Sequence, residues 1–176
     1  MNKLLLLGMA TLALLAAAVT SFAQNCPAAG PAWTSPGSAG ATIDPMGGGL
    51  NKYDIDPRPC LTFKPAQTGR IVARYDVVNT AVPSTATPPW TIFEMGYSMP
   101  PNTNVTATLY RVFRCTGQAQ VICTINGQLG QNCSCCFFPP NSFNYLTELY
   151  MVEVTLSRPP GADLPRVCTL RVYPQG

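Results

Sequence analysis

The stretch YLTELYMVEVTLSR at residues 145–158, followed by PPGADLP at 159–165 and RVCTLRVY at 166–173, decides how this chain is read. In its first part Leu146, Tyr150, Val152, Val154 and Leu156 share one parity, and Thr147, Glu153, Thr155 and Ser157 share the other. Successive side chains leave a strand on opposite sides, so this alternation marks a strand with one face buried and one in water. Cys168, Leu170 and Val172 alternate in the same way with Thr169 and Arg171, which places Cys168 on the inward face. The prolines between the two segments have no place in a ladder. The whole is read as an antiparallel hairpin closed by a wide loop.

Working upstream, the same kind of material recurs. Leu61-Thr62-Phe63 is a short strand, and Arg70 to Val78 carries Ile71, Ala73, Tyr75 and Val77 on one face. A proline-rich connection from Ser84 to Pro89 leads to a strand over Trp90 to Met99, and Pro100-Pro101-Asn102 is a turn. Val105 to Cys115 is a long strand with Val105, Ala107, Leu109, Phe113 and Cys115 in phase and Arg111 as the misfit. Gln120 to Ile125 pairs back onto it across residues 116–119. No helical period appears beyond Gln24, and 18 prolines break most windows. Short strands separated by turn signals predict an all-β fold: a disulfide-linked antiparallel β-sandwich over residues 60–176, with a small barrel as the alternative.

Residues 24–59 show no sustained period and are rich in Gly and Pro, so an irregular segment is expected. Asp44, Asn51, Asp54 and Asp56 offer hard oxygen ligands around Gly47-Gly48-Gly49, but their spacing matches no EF-hand loop. Asp stands before Pro at 44 and 56, which is ordinary turn chemistry, so a weak calcium site stays the lesser reading. Between Pro27 and Gly49 the only charge is Asp44. Such a segment can pack along its own domain or reach a neighbour's sheet edge.

Residues 1–23 begin with Lys3, run apolar from Leu4 to Val19 and end Ser21-Phe22-Ala23. That is the layout of a secretory signal peptide cut after Ala23, too short for a span and without a basic far flank. The expected address is secreted, extracellular or periplasmic, in a bacterial style, with no transmembrane anchor after cleavage. All eight cysteines, Cys26, Cys60, Cys115, Cys123, Cys133, Cys135, Cys136 and Cys168, lie beyond it. An even count in an exported chain predicts disulfides. With no histidine, zinc would need thiolates alone. No metal or other cofactor is therefore expected.

Residues 128–144 break the strand pattern. Cys135 and Cys136 are adjacent and badly placed to bond each other, so each is expected to reach a different part of the fold. Phe137, Phe138 and Phe143 form either a small core under this loop or an exposed platform.

Charged residues make up 11% of the chain, about half the usual quarter. The net charge is +3, and only Lys52 and Lys64 follow the leader among lysines. A nucleic-acid footprint is excluded, and little repulsion opposes self-association. The missing histidine removes Ser-His and Cys-His catalysis. Neither a phosphate-binding loop nor a dinucleotide fingerprint is present. A glycosidase dyad of Glu94 and Glu148 is the one remaining acid–base arrangement, against the plainer reading that Glu148 pairs with an arginine such as Arg111. The sequence predicts a non-catalytic surface, matrix or filament protein that self-associates or binds a partner. The alternative is a carbohydrate-binding module using Trp33, Trp90, Phe137 or Phe138, and a small glycosidase ranks third.

Overall fold

A computed structural model of the chain describes residues 26–27, 30, 32–43, 52–79, 85–130 and 132–176. The expected leader, and Asp44 to Asn51 of the calcium reading, lie outside these residues. In chain order the strands are β1 (Trp33–Pro36), β2 (Ala41–Ile43), β3 (Tyr53–Asp56), β4 (Cys60–Phe63), β5 (Gly69–Asp76), β6 (Ile92–Ser98), β7 (Asn104–Phe113), β8 (Ala119–Asn126), β9 (Cys133–Phe137), β10 (Glu148–Arg158) and β11 (Arg166–Tyr173). They form two antiparallel sheets packed as a β-sandwich. One runs β3-β4-β11-β6-β9 with β1 also on β11, and the other runs β2-β5-β10-β7-β8. No helix of the described residues is long and apolar enough to cross a membrane.

The hairpin expected at the C-terminus is corrected by this topology. β10 pairs with β5 and β7, whereas β11 pairs with β1, β4 and β6. The proline-rich loop at 159–165 therefore carries the chain from one sheet to the other. Each strand turns its apolar face toward the opposing sheet, across the ~10 Å that separates packed sheets. On β10 the alternation holds: Tyr150, Val152, Val154 and Leu156 are buried. On β11 the register shifts between Val167 and Thr169, so Val167 and Leu170 both face the core. Cys168 falls at the irregularity, half-buried rather than inward, and bridges Cys60.

Ile71, Ala73, Tyr75 and Val77 are buried as one face of β5 and the residues beyond it. Val105, Ala107 and Leu109 are buried on β7, but Phe113 is half-exposed and Cys115 exposed, because this strand runs past the end of the core. Between Gln24 and Pro59 the described residues supply three short strands. β1 lies on β11, β2 on β5 and β3 on β4. A single 3-10 turn, Gly37–Ala39, joins β1 in one sheet to β2 in the other. Glycine is required there: a Cβ at Gly37 would sit 1.8 Å from the Val167 carbonyl oxygen. The Tyr75 hydroxyl donates to the Gly37 carbonyl, fixing the turn against β5.

The second disulfide, Cys123–Cys136, joins edge strands β8 and β9 of opposite sheets. Side-chain alternation on β9 sends Cys136 inward to this bridge and Cys133 and Cys135 to the outer face, so the adjacent Cys135 and Cys136 do serve different places. Cys115, Cys133 and Cys135 stand outside these two bridges.

Candidate functional site

The two carboxylates of the dyad reading stand in different sheets, Glu94 on β6 and Glu148 on β10. Glu148, buried at the start of β10, accepts a hydrogen bond from the Tyr150 hydroxyl, with Arg111 Nη1 3.7 Å from Oε1. Glu94 accepts one from the Tyr173 hydroxyl at 2.6 Å, with Arg171 Nη1 3.8 Å from Oε1. Each acid thus has its own phenol and its own guanidinium, as the plainer reading of Glu148 with Arg111 expects. Burial, followed by the bond to Glu148, raises the Tyr150 phenol above its ordinary range. Burial and the bond to Glu94 do the same for Tyr173. Both phenols keep their proton and donate it.

Of the aromatics proposed as sugar-binding, three are placed elsewhere. Trp33, Trp90 and Phe138 are buried, and of the four only Phe137, 48% exposed, meets solvent. Inward parity on β1 takes Trp33 into the core. Trp90 packs edge-on against Phe143 and Tyr145, with centroids at 5.2 and 6.4 Å. Phe138 lies against Phe143 at 5.8 Å. The phenylalanine trio therefore divides: Phe138 and Phe143 join the core and Phe137 stays outside.

Tyr145 and Tyr150, packed on Phe143 of this cluster, form part of the wall of an open pocket of about 310 Å³. Residues 77–79 leave β5 and run beside the start of β10, where the Val77 amide donates to the Tyr150 carbonyl. Tyr145 and Tyr150, with centroids 4.9 Å apart, line one side. Val78 and Leu149 line the rest and are 48% and 52% exposed. Asp76 and Asn79 supply polar groups at the rim. The Asp76 carboxylate makes no hydrogen bond or ion pair to another described residue. None of these pocket residues stands out in sequence, because the pocket exists only where the exit from β5 meets the entry to β10.

A second cluster lies on the outer face of the six-stranded sheet. Ile92, Cys135 and Tyr173 are buried there beneath Cys26 and Ala32. Cys26 Sγ is 3.3 Å from Cys133 Sγ and also bonds the Cys135 thiol. One donor atom each from Cys26, Cys133 and Glu94 lies within 4.8 Å of the others. Burial pushes all three thiols above the ordinary thiol range, and the Glu94 charge pushes Cys133 and Cys135 further. The i, i+2 spacing of Cys133 and Cys135 is legible in sequence. Glu94 is not, since it arrives through the pairing of β6 with β9, opposite Cys135.

The remaining described acids of the calcium reading have protein partners. Asp54 accepts a bond from the Ile55 amide, and Asp56 lies 3.0 Å from Arg166. The Arg58 amide, helped by the two neighbouring guanidiniums, holds the Asp56 carboxyl below its usual range.

No known protein family's sequence pattern matches the chain, and no curated protein sequence does either. Among solved structures, it is similar to a family 6 carbohydrate-binding module at 10% identity and TM-score 0.45, over 82% of this chain and 94% of that one. It is also similar to a Ruminococcus gnavus GH29 fucosidase in complex with fucose, at 8% identity and TM-score 0.42, over 70% of this chain and 21% of that one. The C-terminal family 22 carbohydrate-binding module of Clostridium thermocellum Xyn10B matches at 9% identity and TM-score 0.42, over 85% and 89%. Likenesses this loose transfer no ligand and no site to this chain.

Proposed function

We propose that this chain is an exported, non-catalytic recognition module that binds a carbohydrate in the pocket between the end of β5 and the start of β10. The observation that carries the reading is the chemistry of its lining. A sugar ring offers C–H faces and hydroxyls together. The pocket offers an apolar and aromatic wall in Tyr145, Tyr150, Leu149 and Val78, with the carboxylate of Asp76 and the amide of Asn79 at its rim. A mostly apolar lining with a few placed polar groups is the usual make-up of a small-molecule site, and the volume lies at the small end of the usual range. The test is affinity electrophoresis and calorimetry against a panel of soluble oligo- and polysaccharides. Asp76→Ala and Leu149→Ala, both at exposed positions, are expected to weaken a detected interaction by roughly tenfold each while leaving the melting temperature unchanged. Absence of binding to every glycan in the panel rejects the reading.

Self-association is a second reading, favoured by β8. This eight-residue edge strand, AQVICTIN, contains no charge and no proline, and Val121 on it is 54% exposed. Lysine, proline and shortness are the usual guards of an edge, and this one lacks all three. The N-terminal stretch is a poorer donor than its composition implied, because its described strands already pair within the chain. Light scattering of the mature chain beside Val121→Lys tests the edge. A monomer at high concentration in both samples removes this reading.

A further inference from the structure

We propose that the outer face of the six-stranded sheet holds a zinc-class divalent cation, with Cys26, Cys133 and Glu94 as ligands and Cys135 at hand for the fourth position. With no histidine in the chain, thiolates alone would have to hold a metal if sequence were the only guide. The fold adds the donor that count lacked. Pairing of β6 with β9 sets Glu94 opposite Cys135, on the same outward face as Cys133, and Cys26 comes down over them from the N-terminal segment. Two sulfurs and a carboxylate oxygen then lie within 4.8 Å of one another, near enough for small side-chain adjustments to draw them onto one four-coordinate ion. Mixed thiolate and carboxylate donors suit a borderline ion such as zinc better than calcium or magnesium, which prefer oxygen alone.

Three further features fit this set. A disulfide uses two sulfurs, whereas three thiols meet here, Cys26 contacting both Cys133 and Cys135. Glu94 is oriented from behind by the Tyr173 hydroxyl, the kind of outer partner that holds a ligating carboxylate in place. Ile92 and Tyr173 are fully buried beside the sulfurs, and Ala32 helps cover them, so the half-buried ligand group is partly screened from water.

The site is remote in sequence and in lining residues from the pocket read as sugar-binding, so either proposal can fail alone. The test uses the full mature chain. Peptide mapping with thiol alkylation, on protein as purified, reports whether Cys26, Cys133 and Cys135 are free. Zinc content by elemental analysis and a cobalt titration followed by its sulfur-to-metal charge-transfer absorption report the ion. One equivalent of metal per chain, with the charge-transfer band, is expected. Glu94→Gln should weaken uptake roughly tenfold or more, on the scale of a disturbed metal shell. Cys26→Ser should remove one sulfur's share of the band; it precedes the first strand, so both sheets fold without it. A disulfide from Cys26 to Cys133 or Cys135 in the purified chain overturns the proposal. So does a chain with free thiols that takes up neither zinc nor cobalt.

Discussion

Glu148 and Glu94 are built from the same three residue types and used differently. Glu148, Tyr150 and Arg111 meet at the inward edge of the five-stranded sheet, and Arg111 also sits over the Phe113 ring at 5.4 Å. Glu94, Tyr173 and Arg171 meet on the outer face of the six-stranded sheet, with Arg171 over Tyr173 at 5.1 Å. The Tyr150 hydroxyl also accepts from the Asn144 amide and lies within bonding distance of the Ser142 carbonyl, so it anchors the loop before β10. Tyr173, among the described residues, bonds Glu94 alone through its hydroxyl. The acid with the loop-holding phenol is a structural clamp. The other, with its second side toward three thiols, is placed to hold a ligand. A matching set of side chains does not settle a role; what stands on the far side of the carboxylate does.

The contrast breaks first at the phenols. Tyr150→Phe leaves a buried carboxylate and a backbone amide short of partners, an expected loss of about 2–3 kcal/mol in chemical denaturation. Tyr173→Phe removes one bond and should cost about 1 kcal/mol. If the two substitutions cost the same, the clamp and the ligand holder are not distinct.

An exposed ion pair gives the baseline for both. Arg74 and Glu153 face each other across β5 and β10 at 2.9 Å, but the arginine side chain is half-exposed. Arg74→Ala should therefore lower stability by no more than about 0.2–1 kcal/mol, and less in high salt. A larger loss would mean that this face of the sheet is better shielded than it looks.

The smallest effect is set by pH. Asp56 is fully ionised above the ordinary aspartate range in both the folded and the unfolded chain. Its folded carboxyl titrates lower, held chiefly by the Arg58 amide. The stability it contributes is therefore present above the unfolded value and is lost as pH falls through the folded one. Carbon-detected titration should find the Asp56 midpoint below the ordinary aspartate range. Arg166→Gln should raise its midpoint without removing the depression, because the amide bond remains. A midpoint in Arg166→Gln back in the ordinary aspartate range would assign the effect to the ion pair instead.

By itself the sequence determined that the chain is all-β and which residues alternate into its core. Tyr150 to Leu156 and Ile71 to Val77 are each legible because period two is a local property of the backbone, independent of what lies opposite. It also indicated that Cys135 and Cys136 part company, because adjacent cysteines are badly placed to bond each other. Alternation is silent about which sheet a strand joins, so β10 and β11 read as neighbours when they face each other across the core. An aromatic residue has the same letter buried or exposed, so Trp33, Trp90 and Phe138 could not be told from surface rings. Only the tertiary structure decided those matters. It alone brought Asp76 and Asn79 to Tyr145, and Glu94 to Cys26 and Cys133, because folding joins residues that chain order keeps far apart, 107 positions for Cys26 and Cys133.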